Sequence, residues 1–156
     1  MKQLIAAVTV LVVGAVLSPA AMAQDVEEIT KATLEHFAAL NAGDADAHVQ
    51  HHLPEVSSFD PEGGLLAVFE SHEQERASLQ ADLDAGFKFN VQLRDLKVKV
   101  YGDAAVVTGY LVETVTSPEG TTEQVTTRRT AVLIKQGDQW KEAHSHQSPL
   151  TAALPQ

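Results

Sequence analysis

Near Phe87 the apolar residues of this chain change their period, and nothing else in the sequence constrains the fold as strongly. Before that point they recur every three or four residues; after it they alternate. Upstream, Val26, Ile29, Thr33, Phe37 and Leu40 share one face of a helix, opened by the pair Asp25 and Glu28 and closed at Asn41-Ala42-Gly43. A shorter helix from Asp44 or Asp46 is expected to run to about His52, where Leu53-Pro54 stops it. Two short extended pieces, 56–59 and 65–69, flank the turn Asp60-Pro61-Glu62-Gly63-Gly64. Ser71 with Gln74 then caps a helix through Leu83.

Downstream, Phe89, Val91 and Leu93 alternate, then Leu96, Val98 and Val100, with an irregularity near Arg94-Asp95. Strands follow over 104–115, 121–135 and 140–147, separated by turns at Gly102-Asp103, Pro118-Glu119-Gly120 and Gly137-Asp138. Helices followed by long strands predict an α+β domain, a curved antiparallel sheet wrapped over the N-terminal helices. Such a sheet leaves a conical, mostly apolar cavity as the place for a ligand.

Residues 1–23 read as a secretory signal peptide: Lys2 before an apolar run over 4–17, then Ala21-Met22-Ala23 ahead of Gln24. Fourteen helical residues span ~21 Å, short of a ~30 Å hydrocarbon core, so no stable membrane insertion is expected after cleavage. The expected organisation is a signal over 1–23, a domain over 24–148 and a loose tail over 149–156. The location is therefore periplasmic or secreted. With no cysteine, disulfides, thiol nucleophiles and Cys-ligated metals are excluded. Eleven Lys+Arg against 21 Asp+Glu argue against nucleic acid and anionic lipid as partners.

The closing Gly137-Asp138-Gln139-Trp140 with His144-Ser145-His146-Gln147-Ser148, the segment Phe59-Asp60-Pro61-Glu62, and Gly102-Asp103 followed by Tyr110 carry a resemblance. Over residues 27–148 the chain resembles the nuclear transport factor 2-like superfamily. Its nearest branches are the SnoaL-like domains and the association domain of calcium/calmodulin-dependent protein kinase II. The resemblance implies a cone-shaped α+β fold, self-association as a homodimer through the sheet, and a small-molecule cavity. Val112 stands where the association domain has an inward arginine, and Arg128 and Arg129 lie near another.

On simple alternation His144 and His146 share a side of the last strand with Trp140, Glu142 and Ser148. They are either general acid–base groups in a cavity wall or hydrogen-bonded structural histidines. Adjacent Arg128 and Arg129 must face opposite sides. Arg129, sharing a face with Thr127, Ala131 and Leu133, is the favoured cavity residue, as a carboxylate clamp or as the ion-pair partner of Glu113 or Glu123. Asp60 is a candidate base at the cavity mouth, although turn chemistry explains an Asp before Pro equally well. His48 and His52, four apart, suit one helix face as metal ligands, which His144 and His146 would complete; a solvent-facing polar side is the alternative, and no metal or other cofactor is assigned.

The expected function is binding of a small, carboxylate-bearing ligand in a cavity lined by Phe59, Tyr110, Arg128, Arg129, Trp140 and His146. The alternative is a cofactor-free isomerase or dehydratase, with Asp60, His144 or His146 moving a proton beside a carbonyl and Tyr110 or Arg129 stabilising the enolate oxygen. A purely structural oligomerisation module is the third reading.

Overall fold

The computed structural model describes residues 19–61 and 63–150. Most of the expected export signal and the tail beyond residue 150 lie outside the described residues. The element order is α1 (Pro19–Ala42), α2 (Ala45–Val49), β1 (His52–Phe59), β2 (Ala67–Phe69), α3 (His72–Ala85), β3 (Lys88–Tyr101), β4 (Ala104–Thr116), β5 (Thr122–Gln136) and β6 (Gln139–Pro149). The strands form one curved, unclosed sheet in the order β2-β1-β6-β5-β4-β3. All neighbours are antiparallel except β1 and β6, which run parallel because the chain crosses the whole sheet between them.

The helices follow local chemistry. The described part of α1 runs from Pro19, so Asp25 lies within the helix and does not open it. Asp25 is buried there instead, accepting from Lys135 Nζ at 2.6 Å and from Trp140 Nε1 at 3.3 Å. Gly43, at φ +69°, ends α1 in a left-handed turn that satisfies the Leu40 and Ala39 carbonyls. Asp44 then caps α2, its carboxylate accepting from Ala47 N at 2.8 Å. α2 stops at Val49, and His52 opens β1 rather than ending the helix as expected. Leu53, ahead of Pro54, favours extended backbone, and Pro54 falls where the β1–β6 register shifts between His52 and Ser57. Ser71 caps α3 as expected, but Gln74 Oε1 accepts from Glu70 N.

Two irregularities shape the sheet. The expected one in β3 lies between Arg94 and Lys97, with Asp95 at φ +51°. The second faces the β5–β6 pair: Leu133 pairs with Glu142 but Val132 with His144, so Ala143 is an extra residue. α1 crosses over β3 and β6. Beneath it one apolar cluster joins Ile29, Ala105, Val107, Ala131, Leu133 and Trp140, and a second joins Phe37, Val91 and Leu111.

Candidate functional site

Beside Phe37 a half-open cavity of about 220 Å³ lies between the three helices and the sheet. His36, on the buried face of α1 that also carries Thr33, reaches it from above. The Asp44 cap turns α2 back so that His48 Nε2 lies 3.4 Å from His36 Nε2. α3 contributes Glu75, its one buried residue. From the sheet come His52 of β1, Arg129 of β5 and Glu142 of β6. His36, His52, Glu75, Arg129 and Glu142 are each only 5–7% exposed.

These groups form a connected set. His52 Nδ1–H donates to Glu75 Oε1, and His48 Nε2 lies 4.0 Å from the same oxygen. Arg129 Nη2 donates to both oxygens of Glu142, at 2.6 and 2.5 Å, while its guanidinium carbon sits 5.2 Å from the Phe37 ring centre. Burial, reinforced by His52 and His51 and opposed by His36 and Glu142, lowers His48 from 6.5 to about 4. Burial first, then His52, His48 and Arg129, holds His36 well below the usual histidine range. Burial pushes the Glu142 carboxyl up, but Arg129, His52 and the bond from Ser145 together hold it below the ordinary value.

Four cluster atoms are buried without a hydrogen-bond partner: His48 Nδ1, His52 Nε2, Glu75 Oε2 and Arg129 Nε. Each such group costs free energy unless something supplies a partner. His52 is also arranged for proton exchange: the carboxylate holds Nδ1–H and leaves Nε2 as the second ring nitrogen.

The sequence reading is redistributed by this geometry. The extra residue Ala143 breaks the alternation, so Glu142, Ser145 and Gln147 line the cavity while His144 and His146 do not. His144 Nδ1 pairs with Ser57 Oγ at 2.9 Å, and Phe59 stands edge-on to both rings. Phe59 and His146 instead border a separate hollow with Pro149. Tyr110, 38% exposed, lines another beside Arg128, whose Nη2 donates to the Pro149 carbonyl. Trp140 is packed beneath α1, away from the cavity. Asp60 does line the cavity and stays exposed. Arg129 faces it, but Glu142, not Glu113 or Glu123, already fills its clamp. His48 and His52 converge from a helix and a strand, joined by His36 rather than by His144 and His146.

His36 and Glu75 escape the sequence reading. His36 has a weak signal, three residues beyond Thr33 on the apolar face; Glu75 has none on an otherwise polar helix.

Solved structures share this architecture. A proposed dehydratase of the nuclear transport factor 2-like family from Streptomyces avermitilis is 23% identical, with a TM-score of 0.71 over 83% of this chain and 99% of its own. A proposed aromatic ring hydroxylase from Novosphingobium aromaticivorans is 18% identical, with a TM-score of 0.72 over 83% and 92%. The calcium/calmodulin-dependent protein kinase II hub of S. rosetta is 23% identical, with a TM-score of 0.62 over 86% and 99%. These likenesses show a nuclear transport factor 2-like α+β fold. Residues 29–152 match the SnoaL-like domain, and the chain belongs to that family. Among curated proteins no sequence relative is found.

Proposed function

We propose that this is an exported, homodimeric SnoaL-like protein whose cavity binds a small, neutral or cationic, hydrogen-bonding molecule. The carrying observation is the ring of buried, unpartnered polar atoms: His52 Nε2, Glu75 Oε2 and Arg129 Nε. A cavity of about 220 Å³ is below the roughly 300–1,000 Å³ of drug-sized sites, which favours a small ligand. A carboxylate is disfavoured, because Glu142 neutralises Arg129 and Glu75 adds a second buried carboxyl. Export rests on the pattern of residues 1–23, and dimerisation on the resemblance to the hub domain.

The test is a thermal-shift panel of small amides, alcohols, ketones and amines against small carboxylates. Neutral or cationic compounds should raise the midpoint, with the shift lost in Glu75→Gln. A panel stabilised only by carboxylates, or by nothing, defeats the reading. Gln24 as the mature N-terminus by mass spectrometry and a dimer by light scattering test export and assembly.

A second reading, proton transfer of the isomerase or dehydratase type, is favoured by the His52–Glu75 pair. Solvent deuterium should then enter the position next to the carbonyl of a bound ketone, and His52→Ala should abolish it. Equal exchange in that variant would exclude His52 as the base.

A further inference from the structure

We infer that His36, His48 and His52 form a binding site for a divalent transition-metal ion, with a coordination position left open towards the cavity. The three rings come from three elements, and their centres lie 4.3, 4.6 and 5.0 Å apart. One ring nitrogen from each falls within 4.8 Å of the others. In a tetrahedral site with metal–nitrogen bonds of ~2.0–2.1 Å, ligand nitrogens lie about 3.3–3.4 Å apart. The His36 Nε2–His48 Nε2 separation of 3.4 Å matches that edge. It is also longer than a usual N–H···N bond, so the pair is poorly served by hydrogen bonding to each other. The widest pair, within 4.8 Å, needs to close by up to about 1.5 Å, through rotation of the rings.

The surroundings are those a metal-binding histidine requires. Glu75 accepts from His52 Nδ1, which orients the ring and leaves Nε2, buried and unpartnered, as the free donor atom. A carboxylate behind a histidine ligand is a recurrent means of fixing its tautomer and strengthening its donation. Glu142 Oε1, 4.0 Å from His52 Nε2, adds negative charge near the ion. Arg129, which would otherwise repel it, is bound to Glu142. Three imidazoles select zinc, copper, nickel or cobalt over calcium and magnesium, which prefer oxygen ligands. Three protein ligands with the remaining position facing a cavity is the pattern of sites that act on a bound molecule.

This inference rests on the same cavity as the small-molecule reading, and the two fail separately because metal titration needs no organic ligand. The chelator-treated full chain is titrated calorimetrically with zinc chloride alone, and separately with cobalt(II) while visible absorption is followed. One ion per chain is expected. Affinity should fall at least tenfold in His36→Ala and in His52→Ala, and by about 10–100-fold in Glu75→Gln. His146→Ala, which alters an exposed histidine, should bind as the parent does. Cobalt should show the intense visible bands of a low-coordinate site. No ion bound by the parent, or affinity undiminished in His36→Ala and His52→Ala, overturns the site. If neither variant folds, the cobalt spectrum of the parent decides: a weak, hexaaqua-like spectrum overturns it.

Discussion

Arg129 Nη2 bridges both carboxylate oxygens of Glu142, at 2.6 and 2.5 Å, with the two residues 5% and 6% exposed. The pair ties β5 to β6 and neutralises the one cation among the cavity-lining residues described. Removing one partner leaves a buried charge unopposed, so Arg129→Met or Glu142→Leu should cost about 3–5 kcal/mol. Replacing both together should recover much of the loss, because apolar packing substitutes for the ion pair and its desolvation cost. Urea denaturation of the two single variants and the double variant checks this. Simple addition of the two losses would show that the residues do not act as a pair.

In the metal-free protein, stability should fall as pH drops through the window from 6.5 to about 4. His48 and His36 have folded-state values below their ordinary one, so the unfolded chain takes up protons that the folded chain refuses. Acid therefore favours unfolding, and the histidine contribution is complete only above pH 6.5. Each histidine in its window changes stability by about 1.4 kcal/mol per pH unit. Glu142 acts in the same direction at lower pH: its contribution holds above its ordinary 4.5 and is lost below. Denaturation midpoints taken from neutral to mildly acidic pH measure the slope, and His48→Gln should flatten it. A midpoint independent of pH would contradict the burial argument.

The sole tryptophan reports the other end of α1. Asp25→Ala removes the acceptor for Trp140 Nε1, leaving a buried donor unpaired at a cost of about 1–3 kcal/mol. Lys135→Met, which removes the more exposed partner but leaves the Trp140 bond to Asp25 in place, should cost less than Asp25→Ala. Tryptophan emission followed through denaturation separates the two. Equal losses would place the energy in the ion pair instead.

Gly109 lies opposite the irregularity in β3, where an added Cβ would come within 3.0 Å of the Arg94 carbonyl oxygen and 3.1 Å of Leu93 Cδ1. Gly109→Val should therefore destabilise by about 1–3 kcal/mol despite valine's preference for strands. Thermal unfolding of the variant tests it, and an unchanged midpoint would mean that the bulge yields freely.

Much of the fold was legible because it is written in local periodicity. The switch near Phe87, the turn glycines, the caps at Asp44 and Ser71 and the break near Arg94 each depend on neighbours within a few residues. The errors begin where pairing across the sheet matters. Alternation along β6 would put His144 and His146 beside Glu142, but the one-residue bulge at Ala143 reverses the face from there on. Spacing alone likewise joined His48 to His52 on one helix, whereas a strand begins at His52.

By itself, then, the sequence determined the α+β class, the order of the elements and that Arg128 and Arg129 face opposite sides, since adjacent strand residues must; the folded structure decided that Arg129 is the one lining the cavity. Tertiary structure alone decided the site. His36, His48, His52, Glu75, Arg129 and Glu142 come from six different elements spread from α1 to β6. No local pattern encodes their meeting, because it depends on how α1, α2 and α3 dock on the sheet and on where β6 bulges.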